Sequence, residues 1–397
     1  MSLAGVHVDH DTSRPAGAAA VLRTTTAIRE RAQFLLGRAR AGDSPWFVVD
    51  DDSLAEAAAE VADLTRARYP DLRIPFHSRW RHFEAGGVER KADLDTRAMI
   101  DLTVVSVLLD AGAGPDWSYL EAPTGQRFSR SEGLGVASWH AFCSGVFSGD
   151  RAQPSQADSA GLCGVTVASL AEAFQSTATN PLVGLDGRVS VLHRLGDAVG
   201  PRGRPSDLFD LSEGSRIAAH DILSRVLVSL SGIWLAANSI GDEALGDCWR
   251  HDAVGGPGLT KGWMPFHKLS QWLTYSLLEP YEWAGMHVEG LDALTGLPEY
   301  RNGGLLLDTG VLRLRDTAWA ERTWNVSDEL VVEWRALTVA LLDELAPLVR
   351  ARLGVDAERM PLACVLEGGT WAAGRAIAAR LRDGRPPLTV VSDGTVF

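Results

Sequence analysis

The sequence predicts a mainly α-helical protein with a few short strands. Apolar residues recur at spacings of three and four along much of the chain, most clearly over 327–352, where Leu330, Trp334, Leu337, Leu341, Leu345 and Leu348 share one face. Alternating, strand-like runs are few and short. A hydrophobic content of 46% in 397 residues is enough for a sizeable core.

The elements follow in chain order. Residues 1–20 hold Asp9, Asp11, Arg14 and Pro15 with no continuous apolar run, and read as a flexible segment with no signal peptide. Residues 21–40 suit a helix with Ala, Ile and Leu on one face. Trp46 to Val49 is a short strand candidate. Asp50 to Ser53 offers caps for a helix over 54–68, stopped by Pro70. Residues 74–84 are aromatic and basic without a regular period, which suits a buried functional loop. Further helices are expected over 95–111, from a Ser131-Glu132 cap to Phe147, and over 158–176, 214–240, 264–280 and 327–352. Glu367 to Thr370 then opens a helix over 371–381, and Pro387 to Phe397 is β-like. Residues 21–397 read as a single helical catalytic domain, with room for two closely packed lobes. The oligomeric state stays open.

Composition narrows the partners. The net charge is −13, the pI is about 5.3, and no basic block runs along the chain, which excludes nucleic acid as a main partner. The longest uncharged apolar stretch, Val226 to Ile240, has 15 residues, three serines and an asparagine. It is too short and too polar to span a bilayer and reads as a buried core helix. Cys143, Cys163, Cys248 and Cys364 are widely spaced, with no CxxC, and read as reduced thiols of a cytoplasmic protein. Three of the 38 basic residues are lysines (Lys91, Lys261 and Lys268), so a lysine here is a candidate for work that arginine cannot do, such as giving up a proton.

Common cofactor motifs are missing. The acidic run 48–52 is followed by Leu54-Ala-Glu56 rather than the small residues that cradle a phosphate, so it reads as a strand end with helix caps. No phosphate-binding loop, HExxH or dinucleotide fingerprint occurs. His77 and His82 share the aromatic loop, but two histidines without a spaced carboxylate are a weak metal signal, and no metal or other cofactor is expected.

Three segments carry the chemistry. Arg79, Trp80, Arg81 and Phe83 offer either anion binding with aromatic stacking or a structural Arg–aromatic tie. Lys268 and Gln271 share a helix face, where the lysine either meets a partner or snorkels to water. Glu299, Tyr300, Arg301 and Asn302 crowd a carboxylate, a phenol, a guanidinium and an amide into one turn, which also suits a helix start after Pro298.

Longer segments carry a family resemblance. IPFHSRWRHFEAGG (74–87), WSYLEAPTGQRFSRSEGLGVASW (117–139), PFHKLSQWLTYSLLEP (265–280), LTGLPEYRNGGLLLDTGVL (294–312), LEGGTWAAGR (366–375) and SDGTVF (392–397) resemble the uncharacterised-enzyme family of the alternative, urea-yielding uracil catabolic pathway of bacteria and fungi. The resemblance runs from about residue 20 to the end. In that pathway uracil becomes a nucleotide, its ring is opened, and urea is left on ribose. The family's place therefore implies a step on a ribosyl-urea intermediate. A more distant resemblance is to the queuosine-salvage N-glycosylases, helical proteins similar to helix-hairpin-helix DNA glycosylases. Their Lys-Arg-Ala-Gln-Ile-Leu helix is similar to KLSQWL (268–273), their Ala-Asp-Tyr-Arg turn to PEYR (298–301), and their Trp-Glu-Val-Glu-Ile-Arg-Ala helix to LVVEWRA (330–336). Glu299 stands where that family has Asp, which moves the carboxylate outward by one methylene.

These resemblances imply an N-glycosidase that cleaves ribosylurea, with the 5′-phosphate as the favoured form. Its small-molecule substrate derives from a nucleotide. Glu299 is then the carboxylate beside the anomeric carbon, and Lys268 either protonates the urea leaving group or pairs with Glu299. Arg301, Arg79 and Arg81 are candidates for the phosphate, Trp80 and Tyr300 for the ribose or planar urea, and His77 and Gln271 for further substrate contacts. Two other readings stand beside it: an amide-cleaving step on an acyl-urea, with His77 and His82 as metal ligands, or a non-catalytic protein that binds a pathway intermediate.

Overall fold

The computed structural model describes residues 11–90, 94–209, 216–234 and 238–391. Residues 1–10, Lys91, the 214–215 and 235–237 portions of the expected 214–240 helix, and SDGTVF lie outside them. Among the described residues the protein is mainly α-helical, and no helix is long and apolar enough to cross a membrane.

The first half comprises α1 (Pro15–Leu22), α2 (Thr25–Arg40), β1 (Phe47–Val49), α3 (Leu54–Arg68), the single turn α4 (Trp80–Phe83), α5 (Thr96–Leu108), the hairpin β2 (Ser118–Glu121) and β3 (Gln126–Ser129), α6 (Arg130–Cys143), α7 (Ser159–Gly164), α8 (Val167–Ala173) and α9 (Leu185–Ala198). The second half comprises β4 (Arg216–Ala218), α10 (Ala219–Ser229), β5 (Ser239–Ile240), β6 (Glu243–Ala244), β7 (Cys248–Arg250), β8 (Trp263–Pro265), α11 (Lys268–Trp283), β9 (His287–Glu289), α12 (Tyr300–Asp308), β10 (Leu312–Leu314), β11 (Thr323–Asn325) and α13 (Glu329–Leu353). The chain then runs through α14 (Leu362–Val365), a π-helical turn (Leu366–Thr370) and α15 (Trp371–Arg382) to β12 (Thr389–Val391). The strands form separate two-stranded pairs: β1 with β10, β2 with β3, β5 with β6 and β7 with β8 are antiparallel, while β4 with β9 and β11 with β12 are parallel.

Two helices run through the centre of the core. Every residue of α13 from Leu330 to Leu342 is buried, as is every residue of α11 from Leu269 to Tyr281. A helix apolar on all sides needs neighbours on all sides. α2, α3 and α12 surround α13, and α5 and α10 flank α11.

The structure departs from the sequence expectations in several places. Part of the N-terminal segment read as flexible forms α1, whose Ala18, Ala19 and Leu22 pack against Ile240, Leu245, Cys248 and Trp263. The expected helix over 158–176 divides into α7 and α8 because Val165 turns extended and Thr166 starts afresh with a capping box to Ser169. Val226 to Ile240 is not one core helix: α10 stops at Ser229, Val228 is 67% exposed, and Ile240 sits in a β-strand. Ser131 does not cap α6; it lies in the first turn and serves the site described next.

Candidate active site

The site begins where α11 starts. His267, the residue before the helix, holds a left-handed conformation (φ 50°, ψ 41°) that costs a non-glycine residue energy and requires support. Asp247 provides it: its carbonyl accepts the Phe266 and His267 N–H groups at 2.9 and 3.2 Å, and its carboxylate accepts the Lys268 N–H at 2.9 Å. Arg335 of α13 grips that carboxylate bidentately at 2.7 and 2.8 Å and also donates to the Pro298 carbonyl at 3.3 Å. One buried guanidinium thus positions both Lys268 and the segment leading to Glu299. The Lys268 ammonium, half-buried, forms no ion pair among the described residues. Burial pushes it below the ordinary lysine range, against the opposing pull of Glu299 and Asp110.

Glu299 is the N-cap of α12. Its two carboxylate oxygens each accept a backbone N–H, from Arg301 and Asn302, at 2.7 Å. This fixes the carboxylate while leaving lone pairs on both oxygens. α12 is held close on two sides by glycine. Gly303 faces the Trp334 indole, where a Cβ would stand 2.7 Å away, and Gly374 of α15 lies on the Arg301 carbonyl with no room for a Cβ. Gly374→Ala should gain about 1 kcal/mol of helix propensity and lose about 1–3 kcal/mol to forced separation of α12 and α15. The expected result is a lowered melting temperature with displacement of Arg301; an unchanged or raised melting temperature would contradict this packing.

An aromatic floor adjoins these groups. His77 packs on Trp272 and Trp371 with ring centroids 4.7 and 6.0 Å apart, and His82 meets the same two indoles at 5.8 and 6.2 Å. The guanidinium of Arg301, itself buried, lies 4.7 Å from the Trp371 ring and 5.2 Å from Tyr300. Arg301 forms no ion pair among the described residues. Burying an unpaired charge costs several kcal/mol, and a cation–π contact returns about 1–2 kcal/mol, so an anion at Arg301 is electrostatically welcome.

Behind the floor, Asp110 gathers donors: Arg79 at 2.9 Å, Ser131 Oγ at 2.7 Å and Trp272 Nε1 at 3.1 Å. Burial pushes its carboxyl up, but Arg79 and the other neighbours outweigh this and hold it below the usual range. His82 is pushed down to about 4 by burial, then by Arg79, and is neutral at pH 7. Because its Nδ1 lies 3.0 Å from Arg79 Nη1, which can only donate, the ring proton sits on Nε2.

The structure therefore brings Lys268, Glu299, Tyr300, Arg301 and His77 to one region. It does not bring the remaining sequence candidates there as ligand groups. Arg79 is fully buried and bound to Asp110, Ser106 and Ser131, so it positions Asp110 rather than meeting a phosphate. Trp80 is a core residue, edge-on to Phe83 and Trp283. Arg81 pairs with Glu279 at 2.8 Å. Gln271 is buried against Thr295, which donates to its carbonyl at 3.4 Å. Sequence reasoning missed Asp110 and Trp371 and read Glu367 only as part of a helix start; a tryptophan within the glycine-rich LEGGTWAAGR was the available signal. No group of three or more His, Cys, Asp or Glu able to hold a metal ion occurs among the described residues.

Comparisons with known proteins place the chain. A family described as "Protein of unknown function (DUF1688)" matches residues 21–397. Protein urg3 of Schizosaccharomyces pombe is 39% identical over 396 residues, covering 93% of this chain and 96% of that protein. Uracil catabolism protein 4 of Lachancea kluyveri is 38% identical over 377 residues, covering 82% of this chain and 85% of that protein. With a match across nearly its whole length and two relatives this similar, the chain belongs to the DUF1688 family, in agreement with the family reading of its motifs.

Proposed function

We propose that this protein acts in uracil catabolism as an N-glycosidase that hydrolyses ribosylurea 5′-phosphate to urea and ribose 5-phosphate. The name of its Lachancea kluyveri relative supports the pathway. The observation that carries the chemistry is the placement of a fixed carboxylate, Glu299, near an ammonium of lowered pKa, Lys268, beside planar aromatic walls.

N-glycoside hydrolysis passes through an oxocarbenium-like transition state, and a preorganised carboxylate stabilises the positive charge as it develops on the sugar. Urea is a poor leaving group, and its departing nitrogen needs a proton. A lysine whose burial lowers its pKa gives one up more readily than an ordinary lysine. Tyr300, Trp272 and Trp371 offer flat surfaces for the ribose and the planar urea. Arg301 supplies the seat for the phosphate. The step consumes water and is redox-neutral.

The test is urea release by the purified protein from ribosylurea with and without its 5′-phosphate. The expected result is equimolar urea and ribose 5-phosphate, with the phosphorylated substrate preferred. Arg301→Met should cost about 30-fold or more in kcat/KM for that substrate, in line with about 2 kcal/mol for removing one partner of a buried charge pair, and much less for the unphosphorylated one. Ligand binding without urea release from either would replace the glycosidase by a binding protein.

A further inference from the structure

The mechanism above leaves unused a buried acid–base pair that packs on the aromatic floor. His77 Nδ1 lies 2.8 Å from Glu367 Oε2, and both residues are buried. A carboxylate only accepts, so Nδ1 carries the proton and Nε2 is the remaining ring nitrogen. That nitrogen makes no hydrogen bond among the described residues, although His77 is buried. The other Glu367 oxygen is anchored, accepting from Arg68 at 3.1 Å and Tyr69 at 3.2 Å. The backbone is also specialised here. Glu367 lies in the π-helical turn, a local irregularity that recurs at functional sites. Gly369 makes that turn fit against α3, where a Cβ would stand 2.6 Å from the Val61 carbonyl.

Placement connects this pair to the proposed reaction. His77 packs on Trp272 and Trp371. Trp272 lies one helical turn after Lys268 on α11 and binds Asp110, which also acts on Lys268. Trp371 carries Arg301 on its ring, and Arg301 follows Glu299 by two residues. The same two indoles therefore link the imidazole to the two segments that carry Lys268 and Glu299.

We infer that His77, held by Glu367, is the general base that takes the proton from the attacking water. The inference rests on the glycosidase reading. The water oxygen forms a bond to the anomeric carbon while the carbon–nitrogen bond to urea breaks, its electron pair remaining on nitrogen. His77 Nε2 takes the water proton, and Lys268 delivers one to the urea nitrogen. Solvent returns the proton from His77 to Lys268 after the products leave, so nothing is oxidised or reduced. His77 is the catalytic residue of the pair, and Glu367 is a positioning residue.

The experiment compares wild type, His77→Gln, Glu367→Gln and the double variant on ribosylurea 5′-phosphate. His77→Gln should lower kcat about 10²–10³-fold, as expected for loss of a general base, and leave the substrate Kd within about threefold. Glu367→Gln should also lower kcat, and the double variant should be no slower than His77→Gln, because groups acting as a unit are not additive. A change confined to Kd, losses that multiply, or a kcat that survives His77→Gln would each overturn the role of His77. If His77→Gln does not fold, a Glu367→Gln protein with full kcat would overturn it equally. A wild-type protein that releases no urea sinks the glycosidase reading and this step with it, whereas an active wild type with active variants sinks the step alone.

Discussion

Glu299→Gln is expected to lower kcat for urea release by about 10²–10⁴-fold while the protein stays folded. The substitution removes the charge and keeps the shape. A neutral amide cannot stabilise a developing oxocarbenium ion as a carboxylate does, which is where the loss arises. The structural cost is smaller. Glu299 caps α12 with both oxygens, and Gln retains one oxygen for one of those N–H groups. Half a cap lost amounts to about 0.5–1 kcal/mol, a shift of no more than a few degrees in melting temperature. Activity and thermal unfolding measured on the same preparation separate the two effects. A folded Glu299→Gln protein with full activity would remove Glu299 from the chemistry.

Arg335→Met should produce the largest loss of stability, about 3–5 kcal/mol, because it strands the Asp247 carboxylate inside the protein. Against a total stability of about 5–15 kcal/mol, that is a substantial fraction. Denaturant unfolding should show it as a lowered midpoint, and activity should fall too, since Arg335 secures the approach to both Lys268 and Glu299. The effect has a pH signature. Burial alone would raise the Asp247 carboxyl, but Arg335 and the Lys268 N–H outweigh it and bring it down to about 2. A depressed carboxyl stabilises the fold fully above the ordinary carboxylate pKa near 4. That contribution fades as pH falls through about 2. The gap between wild type and variant should therefore be widest near neutral pH and shrink in acid. A gap that grows in acid, or a variant as stable as wild type, would contradict the anchoring role.

Much of the fold was legible because burial imposes periodicity. α3 occupies the expected 54–68, and α13, expected over 327–352, spans 329–353. α9 went unread, although Val189, Leu192 and Leu195 keep a helical spacing, because Gly187 and Gly196 break up its pattern. The site was legible where chemistry is local: Glu299 and Arg301 are neighbours in one turn, and their density stands out. It was not legible where the same residue types serve the interior. Arg79 and Arg301 are both arginines beside aromatic residues, yet one is ion-paired with Asp110 and bound to Ser131, while the other lies over the rings of Tyr300 and Trp371. That difference depends on what another helix supplies, and no local pattern reports it.

The π-helical turn also makes the segment from Leu362 to Arg382 two helices in different phase. An α-helix advances about 100° per residue, so one extra residue in a turn rotates everything beyond it by about that angle. Leu362 to Val365 keep the phase that buries them, while Trp371 follows another that carries its ring to Arg301. A helical wheel drawn through the whole segment would assign Trp371 to the wrong face. Chain length at this one turn, as much as residue identity, sets the direction in which the tryptophan points.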